Sequence, residues 1–215
     1  MLRRTLHHFG QRPYIYNAIQ ETVGSEGMWQ NFIKHSTQWL DLTNWTSTDI
    51  WLDLGCGTAE VLNHLPKDIH YLGIDSNPKY IAYARQEYSN RPHSTFVCAD
   101  WNSTEWHSHI ETKTIRVITL LGLLHHLSDE DSYKVLELGT TLLKSKGCLI
   151  TVDGCHEPNA SLLEQFFYAI DRGRYVRSSL ELRELFPKSI EPKIDIYTNW
   201  LRVPYRYALC HVFKP

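Results

Sequence analysis

The 215 residues are 42% hydrophobic and 21% charged, enough apolar chain for one sizeable globular domain. A formal net charge of -2 excludes a global field that would gather nucleic acid, and no stretch approaches the roughly 20 apolar residues of a membrane span. The five cysteines (Cys56, Cys98, Cys148, Cys155 and Cys210) form no CxxC pair and read as reduced thiols of a cytoplasmic protein; the polar first ten residues lack the apolar core of a secretory signal.

In chain order, residues 1–48 read as an N-terminal helical cap. Trp29, Phe32, Ile33, Trp39 and Leu40 recur at loosely helical spacing, interrupted upstream by Gly24 and Gly27. Tyr14 and Tyr16 are placed to close over a bound ligand. Residues 49–215 read as the main domain. A strand over 49–54 turns through Gly55-Cys56-Gly57 into a short helix over 60–65, which Pro66 stops. A second strand over 70–74 leads to Asp75, Ser76 and Asn77, and Pro78 opens a helix over 80–88. A third strand covers 95–99 and a fourth 115–121. A helix over 129–143 enters at Ser128-Asp129-Glu130-Asp131; Lys144 and Lys146 complement its dipole and Gly147 ends it. A fifth strand covers 148–152. An insertion around 154–190 carries helices over 162–170 and 180–186, either side of the polar segment 171–177. Strands over 194–200 and 205–213 close the sheet as an antiparallel hairpin.

Strands alternating with helices predict an α/β fold, a seven-stranded, mostly parallel sheet with helices on both faces. Ligands on such sheets bind beyond the carboxyl ends of the strands. Asp53, Asp75, Asp100 and Asp153 all fall on that edge. A dinucleotide turn needs a third glycine where Glu60 stands, and Asp53 and Glu60 both disfavour a pyrophosphate. Asp75 suits the two vicinal hydroxyls of a ribose, and Asp100 with Trp101 suits an adenine ring. A cationic centre would sit comfortably near Asp53 and aromatic faces. An adenosine that carries a cation is S-adenosylmethionine (SAM).

Here the sequence resembles a known family. Asp53-Leu54-Gly55-Cys56-Gly57-Thr58 is similar to the first motif of class I SAM-dependent methyltransferases, with their Rossmann-like fold. Gly73-Ile74-Asp75 resembles their ribose-binding acid, and Cys98-Ala99-Asp100 their adenine-contacting acid. The run from Leu121 through Gly122, Leu123 and Leu124 to His125, His126 and Leu127 resembles the segment lining their methyl-transfer site. The flanks (Pro13 to Asn17, Asp171 to Arg177, Leu201 to Tyr205) resemble a subgroup of small bacterial members. The resemblance implies a cofactor set of Tyr16, Asp53, Gly55, Cys56, Gly57, Asp75, Ser76, Asp100, Trp101 and Leu121.

Methyl transfer needs an aligned nucleophile, and a base where the acceptor has a proton to lose. His125 is the first candidate base and His156 the second. Tyr14, His126, Asp153, Arg172, Tyr175, Arg202 and Tyr205 are the substrate candidates. Arg172, Arg174, Arg177 and Arg202 either anchor loops by salt bridges or clamp an acidic acceptor. Metal-dependent catechol-type methyltransferases carry acids where Gly122-Leu123 and Asp153-Gly154 stand here, so no metal is expected. Cys56 has acids for neighbours and reads as a small turn residue rather than a nucleophile. The reading is a SAM-dependent methyltransferase acting on a small-molecule acceptor, with no nucleic-acid or membrane partner. The alternatives are a protein or nucleic-acid methyltransferase and a non-catalytic SAM-binding protein.

Overall fold

A computed structural model describes residues 28–37, 40, 44–110, 114–171, 173–198 and 200–215. Five strands run parallel: β1 (Asp49–Leu54), β2 (Tyr71–Asp75), β3 (Ser94–Cys98), β4 (Thr114–Leu121) and β5 (Leu143–Gly154). Two more, β6 (Lys193–Tyr197) and β7 (Tyr207–Phe213), are antiparallel to each other, and β7 is antiparallel to β5. The sheet order is β3-β2-β1-β4-β5-β7-β6. The strand order reverses beside β1, so the crevice between the carboxyl ends of β1 and β4 is the ligand position of such a sheet. This is the seven-stranded α/β arrangement predicted from the sequence.

Both faces of the sheet are covered, which is why β1 is buried along its whole length. Leu52, Leu54, Ile118, Leu120 and Leu149 pack on one face with Val135 and Leu136 of helix α3 (Asp129–Leu142) and Leu182 of α5 (Ser179–Glu184). Trp51, Tyr71, Val117 and Ile150 pack on the other. Their partners there are Phe32 of α1 (Met28–Thr37) and Ile81 and Ala84 of α2 (Pro78–Glu87). The fourth helix in chain order, α4 (Leu162–Ile170), lies within the insertion. Helix entries follow capping chemistry: Asn77 accepts from the Lys79 amide at 3.0 Å, and Ser161 and Ser178 each form a capping box with the glutamate three residues on.

Two expectations are corrected. The segment after β1 is a 3-10 turn over Glu60–His64, not an α-helix. Five residues ahead of Pro66 are too few to nucleate an α-helix. Lys144, Lys146 and Gly147 do not end α3; they lie inside β5, which starts directly after it. The pairing of β4 with β5 shifts register between Ile115 and Val117. The surplus residues of β5 are taken up by Lys146, at φ 63, and by Gly147, where a Cβ would fall 2.8 Å from the Lys144 carbonyl oxygen. Lys144 instead pairs with Asp49, which is buried at the start of β1. Among the described residues, no helix is long and apolar enough to cross a membrane.

Candidate active site

The turn after β1 is tied to β2 by three amides. Gly55 and Cys56 donate to the Ile74 carbonyl at 2.8 and 3.0 Å, and Gly57 donates to Asp75 Oδ2 at 2.9 Å. Gly55 and Gly57 have φ of 74 and 55, a left-handed backbone that side chains resist. A Cβ at Gly55 would lie 2.9 Å from Leu123, so this glycine also lets the segment after β4 close on the turn. The space beside Gly57 is open, with nothing within 4 Å of a Cβ placed there. Asp75 Oδ1 accepts from the Asn77 amide at 2.7 Å. Each Asp75 oxygen thus takes one backbone N–H and keeps acceptor capacity for one hydroxyl of a vicinal diol. Burial raises the Asp75 pKa, and the two amides oppose that shift. A ribose fits this carboxylate, and the open space at Gly57 admits the chain attached to it.

A second cluster stands at the ends of β4 and β5. The His125 amide and its Nδ1 both lie against Asp153 Oδ1, at 3.1 and 2.8 Å. Asp153 is 1% exposed; burial raises its pKa, while His125 opposes the shift. Asp153 Oδ2 is buried without a hydrogen-bond partner. On the other side of the imidazole, Nε2 lies 3.9 Å from Asp171 Oδ1. Asp171 is fixed in turn: Gly173 donates its amide to Oδ1 at 2.5 Å and Tyr205 its hydroxyl to Oδ2 at 2.7 Å. Burial, then the charge of Asp171, push the Tyr205 pKa far up, so it stays a donor. A Cβ at Gly173 would fall on the His125 ring, so glycine is what allows this segment to approach. Tyr175 donates its amide to the His125 carbonyl at 3.0 Å.

Residues 52–147, a little under half of the chain, match the family model described as a methyltransferase domain. These residues are similar to a methyltransferase domain, and the seven-stranded sheet that carries them has the Rossmann-like class I methyltransferase fold. No curated protein matches the sequence. Among similar solved structures is the magnesium protoporphyrin IX methyltransferase of Synechocystis with bound S-adenosylhomocysteine (SAH). Its TM-score is 0.64 at 14% identity, over 87% of this chain and 84% of that one. Another is a geranyl diphosphate C-methyltransferase of Streptomyces coelicolor, solved with magnesium, geranyl diphosphate and SAH. It gives 0.58 at 12% identity, over 84% and 77% of the two chains. A complex of a methyltransferase with the Haloferax volcanii Trm112 methyltransferase activator gives 0.61 at 19%, over 88% and 92%. At these identities the likeness is one of fold.

The four strand-end acids are not equivalent. Asp53 is 1% exposed and turned into the α1/α2 face, where Tyr71 donates to Oδ2 at 2.5 Å and Thr119 to Oδ1 at 2.8 Å. Thr119 accepts in turn from the Trp51 indole at 3.0 Å. Burial lifts the Asp53 pKa to about 6. Asp53 therefore lies beneath the turn as part of the core. The Cys56 side chain fills the space over Gly73, where a Cβ would lie 2.9 Å from its sulfur. Burial raises its thiol pKa well above the ordinary value, so it is no nucleophile. Asp100 is exposed at the end of β3, Ser76 is exposed at the end of β2, and Trp101 and Leu121 are half-buried near the crevice.

On the acceptor side the structure brings together His125, Asp153, Tyr205 and the backbone of Tyr175. His126 is exposed, its ring centroid 4.1 Å from that of His125. His156 stands apart from this dyad, with Nε2 3.6 Å from Glu181 Oε2 at the entry of α5. Arg177 is an anchor. It holds Asp129 at 2.7 and 2.9 Å and donates to the Leu124, Leu127 and Tyr175 carbonyls. Arg174 and Arg202 are exposed. Tyr14, Tyr16 and Arg172 lie outside the described residues. No metal-binding group of three or more His, Cys, Asp or Glu occurs among the described residues. Sequence reasoning missed Asp171 as a site residue; its signal was its place at the head of the polar segment between two helical patterns.

Proposed function

We propose that the methyl group passes to a small-molecule acceptor whose nucleophilic O–H or N–H loses its proton to His125. The observation that carries this reading is the 2.8 Å contact of His125 Nδ1 with buried Asp153. With Nδ1–H donating to the carboxylate, Nε2 is the ring nitrogen that takes up the proton. Asp153 then acts as a positioning residue, fixing the ring and its tautomer and stabilising the imidazolium that forms on proton uptake. Bound SAM supplies an electrophilic methyl on a sulfonium sulfur. The chain's own residues bind, align and deprotonate.

On the cofactor side, Asp75 takes the ribose hydroxyls, with Asp100 and Trp101 at the adenine end and Leu121 lining the crevice. Gly55 and Gly57 shape its floor. On the acceptor side, the insertion after β5 contributes Tyr175 and Tyr205. Of the candidate arginines, Arg177 is committed to Asp129 and three carbonyls, and among the described residues the carboxylates of Asp153 and Asp171 face His125. That supports a neutral or cationic acceptor over an anionic one. One fold neighbour is a geranyl diphosphate C-methyltransferase solved with geranyl diphosphate, which supports a small-molecule acceptor.

The test is SAH release from SAM with a panel of phenols, alcohols and amines. His125→Ala is expected to lower kcat by about 100-fold or more, in the range of lost general-base catalysis, while SAH affinity is retained. An unchanged kcat in that variant would rule out His125 as the base.

A further inference from the structure

The turn that carries His125 is too short to hold itself in place. It is a 3-10 turn of three residues, Leu124–His126, and no side chain caps its entry. Its turn bonds run from the His126 amide to the Leu123 carbonyl at 3.0 Å and from the Leu127 amide to the Leu124 carbonyl at 3.1 Å. So short a run is weakly fixed by bonds of its own. Arg177 supplies the rest. Its buried guanidinium has five N–H donors, and each one is engaged. Nη1 donates to the Leu124 and Tyr175 carbonyls at 2.8 and 3.2 Å. Nη2 donates to the Leu127 carbonyl at 2.8 Å and to Asp129 Oδ1 at 2.7 Å, and Nε to the same carboxylate oxygen at 2.9 Å. The Leu124 and Leu127 carbonyls bracket His125 in the chain.

The main chain of Arg177 is fixed to the strand that carries Asp153. The Arg177 carbonyl accepts from the His156 amide at 3.1 Å, and Arg177 forms a parallel bridge with Cys155, two residues beyond Asp153. Arg177 therefore sits against the end of β5 while its side chain reaches the turn after β4. Those two segments hold the partners of the 2.8 Å contact between His125 Nδ1 and Asp153 Oδ1. Tyr175 adds a third tie. Its amide donates to the His125 carbonyl at 3.0 Å, and its own carbonyl accepts from Arg177. Lysine could not replace this fastening, because an ammonium gathers three donors on one nitrogen and cannot span acceptors set around a planar fork.

We infer that Arg177 is a positioning residue for methyl transfer: it fastens the turn that carries His125 to the end of β5 and so holds the imidazole on Asp153. This rests on His125 being the base. With all five donors committed, Arg177 has none to offer an acceptor, so it acts through His125. The contact with Asp153 selects the Nδ1–H tautomer and the direction of the ring, and a turn released from Arg177 no longer enforces either. Asp129 takes two of the five donors on one oxygen and thereby sets the plane of the fork.

The experiment is NMR on the isotope-labelled full chain at mildly alkaline pH, where free imidazole is neutral. One readout is the His125 tautomer, from its ring nitrogen shifts, assigned by their absence in His125→Ala. The other is amide hydrogen exchange at His125 and Tyr175, with Trp51 and Leu52 of the buried β1 as reference. The wild type is expected to hold the Nδ1–H tautomer. Arg177→Lys keeps the charge and loses the fork. It is expected to cut the preference for that tautomer at least tenfold and to speed exchange at His125 and Tyr175 at least tenfold, with the two β1 amides changing less than threefold. Wild-type tautomer and exchange in Arg177→Lys would overturn the positioning role and leave His125 standing as the base. Exchange faster at all four amides alike, with the tautomer unchanged, would make Arg177 a stabiliser of the whole fold and would also overturn it. A wild-type His125 with its proton on Nε2 would instead refute the His125–Asp153 reading, and the inference would fall with it. Should Arg177→Lys fail to fold, Asp129→Ala is the check, since that side chain is 81% exposed and its loss frees two of the five donors. It is expected to speed exchange at His125 and Tyr175 at least threefold, and no change there would overturn the inference.

Discussion

Replacing Asp53 with asparagine tests whether this motif acid belongs to the core. Its carboxyl is 1% exposed, and burial lifts its pKa from 3.8 to about 6 against the hydrogen bonds of Tyr71 and Thr119. The folded chain therefore holds that proton more tightly than the unfolded chain does. Folding is favoured while the group is protonated in both states, and stability falls as pH rises from about 4 through about 6. The cost of ionising it in the fold is about 1.6 kcal/mol at pH 5 and about 3 kcal/mol at pH 7.5. Asp53→Asn removes the titration. Any hydrogen bond it weakens shifts stability equally at both pH values, and Asp75 and Asp153, also raised by burial, titrate in both proteins and cancel. Urea unfolding at pH 5 and pH 7.5 is the assay. The stability of Asp53→Asn relative to wild type is expected to improve by about 1–2 kcal/mol between the two pH values. Parallel pH dependences would show that Asp53 ionises in the fold as it does in water, and the buried placement would be wrong.

Gly173→Ala places a methyl group on the His125 ring and against its carbonyl. It is expected to lower turnover about 100-fold through a misplaced base, with SAH affinity unchanged by titration calorimetry; an active variant would refute the close packing. Arg177→Met leaves three main-chain carbonyls without their guanidinium donor and breaks the pair with Asp129. A loss of about 2–4 kcal/mol in urea unfolding is expected, and a loss below about 0.5 kcal/mol, the level of an ordinary surface change, would contradict the anchoring role.

The parallel part of the sheet was legible in the sequence because each of its five strands is a short, largely apolar run that leads to an acid or glycine. What the pattern could not show is which way each acid turns. Asp53 and Asp153 both end or nearly end a buried strand, yet face opposite sides of the sheet, one toward Tyr71 and the other toward His125. Side chains alternate across a strand, so one residue of register decides the difference. Asp75 was readable because its partners, Gly57 and Asn77, belong to turns with their own sequence signature. Asp171 was not, because its role depends on Tyr205, 34 residues away, and on Gly173 allowing backbone to reach a histidine ring. The arginines misled for a similar reason: sequence counts cations, whereas Arg177 has its donors committed to carbonyls contributed by the turn after β4.

The proposed SAM site is built on the turn after β1, with Asp75 binding the ribose. Calorimetric titration of SAH into the wild-type chain and into Asp75→Ala tests it most directly. Saturable one-to-one binding by the wild type is expected, weakened at least about tenfold in the variant, as loss of charged hydrogen bonds to two hydroxyls requires. Equal affinity in the two proteins would contradict the ribose assignment, and no binding by the wild type would contradict the site.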